Sequence, residues 1–137
     1  RGLGVSQVLA LFNLAAECGD SLIGAEQPEL HLHPKMQADL ADLFIDSACA
    51  TGDSKGDRAN QWIIETHSEA ILLRLQRRIR EGKLSSDDVQ VLYVGKFRET
   101  GSFIQPLRLN DNGDLVDEWP GGFFEEDFDD LFGEGKR

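Results

Sequence analysis

Residues 21–34 read SLIGAEQPELHLHP, and this stretch is the strongest indication of the fold. Its first part is almost wholly apolar and ends in Glu26, which is typical of a strand buried on both faces of a parallel sheet. Pro34 is suited to the first position of a helix, because that position needs no backbone N–H donor. The stretch therefore predicts a buried strand, a polar turn and a helix in direct succession.

The same alternation continues on both sides of this stretch. Apolar residues at helical spacing from Val8 to Ala15 predict a helix before the strand, with Ser6 as its N-cap. Further helices are predicted after Pro34 and after Ser68, with Gly82 as the stop of the second. Alternating helices and strands imply right-handed crossovers and a parallel sheet. The predicted fold class is α/β with three parallel strands, at 21–26, 61–66 and 89–94.

The C-terminal third has a different pattern. SFIQPLRL (102–109) and DLVDEW (114–119) are separated by NDNG, which predicts a small β-hairpin appendage. The last residues, GGFFEEDFDDLFGEGKR, mix Phe and Leu with acid and predict a solvated end or a short docking segment. We expect one domain over residues 1–95 and an appendage over residues 96–137.

Composition excludes some classes of protein. The chain has 137 residues and a net charge of -11, which argues against a general nucleic-acid-binding surface. A run of arginines from Arg74 to Arg80 is expected to be a solvated helix face rather than a DNA contact. Cys18 and Cys49 lack a Cys-x-x-Cys spacing, and no apolar run reaches the length of a membrane span. We therefore expect a cytoplasmic protein with no membrane partner.

Polar groups follow two of the predicted strands. The first strand ends in Glu26-Gln27-Pro28-Glu29 and the second in Glu65-Thr66-His67-Ser68. Ligands bind at the carboxyl ends of open parallel sheets, so neighbouring strands would place Glu26 and His67 on one rim. An acidic residue there can hold Mg²⁺ through water beside a nucleotide phosphate, and a histidine can donate to the terminal phosphate. The alternative is a transition-metal site of His31 and His33 with a glutamate, although a third ligand at suitable spacing is not evident.

These residues resemble the C-terminal half of an ABC-type ATPase, and most closely the bacterial AAA-family ATPases related to the overcoming-lysogenization-defect and structural-maintenance-of-chromosomes proteins. The resemblance covers nearly the whole chain as a partial P-loop NTPase. The matching segments are Ser21–Gln27 for the Walker B strand, Glu29–Pro34 for the D-loop, His67 for the switch histidine, Gly2–Gln7 for the signature, and Asp88–Phe132 for an appended C-terminal domain.

The resemblance implies ATP and Mg²⁺ as cofactors. It implies that Glu26 holds Mg²⁺, that Gln27 positions the attacking water and that His67 senses the terminal phosphate. It further implies a homodimer that ATP closes, in a DNA-linked process such as repair or phage defence, with a nuclease or DNA as partner. The residues facing the nucleotide or the seam between subunits would be Gly4, Ser6, Gln7, His31 and His33.

Two departures from the family pattern bear on activity. Gln27 stands where a water-activating glutamate is usual, and glutamine orients a water but cannot accept its proton. We therefore expect slow hydrolysis, or another base such as Glu29. No G-x-x-x-x-G-K-[ST] occurs in the 137 residues, so we expect the second half of an ATPase that alone neither binds ATP tightly nor hydrolyses it.

Two other functions remain open at this stage. One is a non-catalytic α/β interaction module whose open sheet edge self-associates. The other is a metal-dependent hydrolase or nuclease that uses Glu26, Glu29, His31 and His33.

Overall fold

The computed structural model describes residues 3–17, 19–49, 59–97 and 101–120. The chain divides into two units, Arg1–Leu84 and Ser85–Arg137. The predicted boundary between residues 95 and 96 falls inside a strand, Val91–Phe97, whose partner strand belongs to the second unit. Within the described residues, no helix has the length and apolarity that crossing a membrane requires.

The first unit alternates helices and strands as predicted. Its elements are α1 (Leu3–Glu17), β1 (Leu22–Glu26), α2 (Pro34–Ala48), β2 (Gln61–Glu65) and α3 (Glu69–Arg80). β1 and β2 pair in parallel, with Leu22 opposite Gln61 and Glu26 opposite Glu65. This confirms the α/β class with a small parallel sheet and helices.

α1 begins earlier than predicted. The helix starts at Leu3, so Ser6 lies inside it and the prediction that Ser6 is the N-cap is wrong. An N-cap contributes about 1 kcal/mol, which further helical hydrogen bonds can outweigh. By contrast, Pro34 does stand at the start of α2, and Ser68 does cap α3 by accepting from the N–H of Ile71 at 3.2 Å.

The core of the first unit lies between the sheet and its helices. One cluster of its buried residues consists of Leu11, Leu32, Leu40 and Phe44. Trp62 of β2 packs against it, with its ring centroid 4.8 Å from that of Phe44. The other face of the sheet is exposed, since Leu22 and Ile63 keep 65% and 64% of their surface. The prediction that β1 is buried on both faces is therefore wrong, because the described helices cover only one face.

A buried amide fixes the start of the parallel pair. The Asn60 side chain accepts from the N–H of Ser21 at 3.2 Å and donates to Ser47 Oγ at 3.0 Å. Ser47 Oγ also accepts from Trp62 Nε1 at 3.1 Å. These bonds join α2 to both strands, so they hold the register that brings the strand ends together.

The arginines of α3 bind carboxylates of the same unit. Asp42 of α2 accepts from Arg74 at 2.6 Å and from Arg78 at 2.7 Å, and all three side chains are half-buried. Glu81 accepts from Arg77 and Arg78 at the end of the helix. Arg74 and Arg78 are thus neither a solvated face nor a DNA-facing one, because each is committed to an acidic partner.

This network predicts loss of stability in acid. Hydrogen bonds from Arg78 lower the pKa of Asp42, and those from Arg77 and Arg78 lower the pKa of Glu81 to about 2. A carboxyl whose pKa is lowered by folding stabilises the fold at pH values above about 4, which is its pKa in the unfolded chain. This contribution is lost as the pH falls through the pKa of the folded state. We expect the melting temperature to fall between about pH 4 and pH 2, and less so in Asp42→Asn. A matched control is Asp46→Asn, an exposed carboxylate on the same helix, which should melt with the pH profile of the wild type.

The second unit is an antiparallel hairpin of β3 (Val91–Phe97) and β4 (Gly101–Leu107), preceded by the short 3₁₀ helix Ser86–Asp88. β3 is therefore not a third parallel strand, and this prediction is wrong. A short connection permits only antiparallel pairing, whereas a parallel pair needs a long crossover. Gly95 lies under the ring of Phe103, which occupies the space where a Cβ would stand.

Of the hairpin predicted between residues 102–109 and 114–119, the structure contains one β-bridge, between Leu109 and Leu115. The first of these segments pairs mainly with β3 instead. The NDNG turn does form: the Asn110 side chain accepts from the N–H groups of Asn112 and Asp114 at 2.9 Å each. The acidic segment 121–137 lies outside the described residues.

Candidate functional site

The parallel pairing brings two carboxylates together at the carboxyl end of the sheet. Glu26 and Glu65 are the last residues of β1 and β2, they are partners in the register, and both are exposed. Partners in a parallel pair point to the same face, with their backbones about 4.8 Å apart. The N–H of Gln27 donates to the carbonyl of Glu65 at 2.8 Å, which extends the pairing by one residue. We call residues 26–29 and 65–68 the carboxyl edge.

A tight turn follows β1. The N–H of Leu30 donates to the carbonyl of Gln27 at 3.1 Å, and that of Leu32 donates to the carbonyl of Glu29 at 2.9 Å. Gln27 and His31 have φ angles of 44° and 67°. Residues other than glycine adopt this left-handed region at an energetic cost, and such strain concentrates at functional sites.

Glu29 is the buried carboxylate of this turn, and only 8% of its surface is exposed. Its Oε1 accepts from the main-chain N–H of His67 at 2.8 Å. Its Oε2 is buried and has no hydrogen-bond partner among the described residues. The turn after β1 is thus bonded directly to the loop after β2, across 38 residues of sequence.

The loop after β2 is held by short polar contacts. Thr66 Oγ1 accepts from the N–H of Ser68 at 3.0 Å. Ser68 Oγ donates to Gln37 Oε1 at 2.6 Å, and Gln37 Nε2 donates to the carbonyl of Leu32 at 3.0 Å. The side chain of His67 is exposed while its main chain is fixed on both sides. Its imidazole is therefore presented to solvent at the carboxyl edge.

The two histidines of the turn do not form a metal site. His33 is the N-cap of α2, and its Nδ1 accepts from the N–H of Lys35 at 3.3 Å, while His31 is exposed. Among the residues that the structure describes, no three His, Cys, Asp or Glu side chains are grouped so that they could hold a metal ion. The structure thus does not group Glu26, Glu29, His31 and His33 as a metal site, and the alternative of a metal-dependent hydrolase or nuclease stays a prediction without support from this geometry.

The predicted signature residues lie on another element. Gly4, Ser6 and Gln7 occupy the first two turns of α1, where Ser6 is exposed and Gln7 half-buried. Their contact with the nucleotide of a second subunit stays a prediction. So do the roles predicted for Glu26, Gln27, Glu29 and His67, although these four do meet at one edge of the sheet.

Glu65 of the carboxyl edge and Gln37 beside it are two residues to which the sequence assigns no role. Glu65 stands directly before Thr66-His67-Ser68, and its position opposite Glu26 depends on the register, which one strand alone does not reveal. Gln37 links the turn to the loop from inside α2, and nothing in its sequence surroundings marks it. For Glu65 the usable signal was its place at the polar end of a strand, and for Gln37 there was none.

Comparison with known proteins finds two family models along the chain. A model described as AAA ATPase domain matches residues 1–72. A model described as a protein of unknown function, DUF3696, matches residues 84–133. Neither the curated proteins nor the solved structures contain a match to the chain. The first match contains the whole carboxyl edge, and the second contains the β3–β4 hairpin.

Proposed function

Because the chain belongs to the AAA ATPase domain family, we propose that its carboxyl edge is the Mg²⁺- and phosphate-binding side of an ATP site in the full-length protein. The observation that carries this proposal is the parallel β1–β2 pair, which brings Glu26 and the exposed His67 to the same edge. ATP and Mg²⁺ are the cofactors of the proposed site, and a P-loop would have to supply the cradle for the β-phosphate.

The donor set of the carboxyl edge fits a hydrated Mg²⁺. This ion prefers oxygen ligands, keeps several of its waters and is commonly bound through one or two carboxylates beside phosphates. Glu26 and Glu65 offer two exposed carboxylates side by side. Two like charges directly opposite each other repel, so a cation between them would be favourable. In the proposal Glu26 holds the ion through its water shell, and Glu65 adds to the negative field. When bound, Mg²⁺ neutralises charge on the phosphates.

The other residues of the edge take separate roles in this proposal. His67 donates to the terminal phosphate, because its imidazole is exposed and its main chain is fixed. Gln27 orients the attacking water through its amide but cannot take the proton. Hydrolysis is therefore slow, and ATP acts mainly as a ligand that favours one conformation.

We extend the proposal to a homodimer that closes on ATP. Ser6 at the start of α1 and His31 and His33 in the turn after β1 are exposed, as residues at a subunit seam would be in the free protomer. Gly4, Ser6 and Gln7 would face the nucleotide of the second subunit. The resemblance to ATPases of repair and phage defence supports a DNA-linked process, with a nuclease or DNA as partner.

The test is Mg-ATP binding by the full-length protein. Glu26→Gln should weaken ATP binding in the presence of Mg²⁺ by about tenfold or more and leave binding in EDTA unchanged, because the amide lacks the charge that holds the hydrated ion. His67→Ala should weaken ATP more than ADP, since only ATP carries the terminal phosphate. Glu17→Gln, the same change at the exposed end of α1, is the control and should bind as the wild type. If Glu26→Gln bound ATP with the same Mg²⁺ dependence as the wild type, the assignment of Glu26 to the Mg²⁺ site would be wrong.

One observation favours a second candidate, the non-catalytic interaction module. The exposed sheet face carries Leu22 and Ile63, which are large apolar side chains on neighbouring strands. The module would be favoured if the full-length protein self-associates with increasing concentration, independently of ATP, and if Ile63→Lys prevents this association. Association that requires Mg-ATP would favour the ATPase.

A further inference from the structure

The carboxylate of Glu29 lies in an unusual environment, because it is buried without a charged partner. Charged side chains are almost never fully buried unless they are paired, because removing a charge from water is costly. Glu29 is buried, is bonded by a neutral main-chain N–H through Oε1, and leaves Oε2 without a partner among the described residues. A cost of this kind at the proposed site calls for a compensating function.

The bond to His67 is a mechanical link between two loops. On one side is the turn that carries Gln27 and His31, both in the left-handed region of φ. On the other side is the loop that presents His67. Because Glu29 sits between the two strained positions, a shift of the His67 main chain would act directly on the strained turn.

The unpaired oxygen adds a second energetic cost to the same turn. Oε2 is shielded from bulk solvent and accepts no hydrogen bond from the described residues. A buried acceptor left unpaired loses a full hydrogen bond, and an arrangement that gives it a donor is favoured by that amount. The described state therefore combines backbone strain with an unmet acceptor in the same five-residue turn.

We infer that Glu29 is a positioning residue that couples nucleotide occupancy at His67 to the conformation of the exposed turn at residues 27–31. The inference rests on the proposed function and assigns a regulatory route within the same site. When His67 contacts a terminal phosphate, its main-chain N–H shifts. The carboxylate of Glu29 moves with this N–H because it is bonded to it. The turn then changes conformation and carries the exposed His31 with it. Glu29 does not itself touch the nucleotide in this scheme.

The test follows the amides of the turn by hydrogen exchange in the full-length protein, with and without Mg-ATP. The N–H groups of Leu30 and Leu32 are suitable reporters, because both are bonded within the turn. In the wild type, Mg-ATP should change their exchange rates by about fivefold or more, the usual range of coupling between sites. In Glu29→Ala the change should be lost even when the variant is saturated with Mg-ATP.

Two further variants separate positioning from other roles. Glu29→Gln keeps a carbonyl oxygen for the His67 N–H, so it should keep the coupled exchange of the wild type. Glu29→Asp keeps the charge but ends one methylene short, so it should behave as Glu29→Ala, and it serves as the second variant if alanine prevents folding.

The outcomes distinguish this inference from the proposed function. If the wild type binds no Mg-ATP, the proposed function fails and the inference fails with it. If the wild type binds Mg-ATP while Glu29→Ala still shows coupled exchange, the inference alone is overturned. Loss of the coupled exchange in Glu29→Gln would also overturn it, because the charge of Glu29 and not its bond to the His67 N–H would then carry the coupling.

Discussion

Replacement of Gln27 by glutamate is expected to raise ATP turnover by the full-length protein by about 10²-fold or more, the usual contribution of a positioned general base. The two side chains have the same length, so glutamate can place its carboxylate where the amide now lies. The backbone of residue 27 is fixed independently of its side chain, because its N–H donates to the carbonyl of Glu65 at 2.8 Å. The substitution therefore adds a proton acceptor without changing the turn.

Turnover at saturating Mg-ATP is the measurement, and its pH dependence is a second readout. A new carboxylate base should give a rate that rises with pH through the pKa of that carboxyl. Gln61→Glu is the matched control, since Gln61 is exposed at the far end of β2 and the change in charge is identical. Equal rates in Gln27→Glu and the wild type would show that residue 27 does not contact the attacking water.

Phe44→Ala is expected to lower the free energy of unfolding of the first unit by about 3–5 kcal/mol. Phe44 is only 4% exposed and packs with Leu40, Leu11 and Leu32. Its ring also contacts that of Trp62 at 4.8 Å, so the truncation leaves a cavity between α2 and the sheet. Total stabilities are typically about 5–15 kcal/mol, so this loss should leave the unit marginally stable.

Urea denaturation followed by tryptophan fluorescence measures this loss, because Trp62 lines the cavity. Phe12→Ala removes the same atoms from a side chain that is 56% exposed on α1, and it should cost less than about 1 kcal/mol. A similar loss in both variants would mean that the core is not centred on Phe44.

The two units differ in how far local pattern predicted them. In the first unit, helical spacing and the Pro34 and Ser68 signals predicted α2 and α3, because apolar periodicity and end groups are local properties. In the second unit, the pattern of residues 89–94 predicts a third parallel strand, but it is equally suited to the hairpin strand Val91–Phe97 that the structure shows. A run of apolar residues gives the conformation of a strand but not its partner, since pairing is a contact between distant residues.

The candidate site was likewise predictable only in part. The residue types at 26–29 and 65–68 were sufficient to predict a carboxyl edge with an acid and a histidine. The pairing of Glu26 with Glu65 and the bond from His67 to Glu29 were not predictable, because each joins residues nearly 40 positions apart. The burial of Glu29 was equally hidden, as sequence presents it as one more polar residue of a turn.

Composition, spacing and motif order were enough to predict the alternation of helices and strands, the polar ends of two strands and membership of an ATPase family. Which strands pair, which carboxylate is buried and which arginines are neutralised became visible only in the folded chain. The physical reason is that hydrophobic periodicity acts over a few residues, whereas the register, the burial and the ion pairs arise only when separate elements meet. In this protein the meeting point is the turn around Glu29, where a buried acid joins the two strand ends.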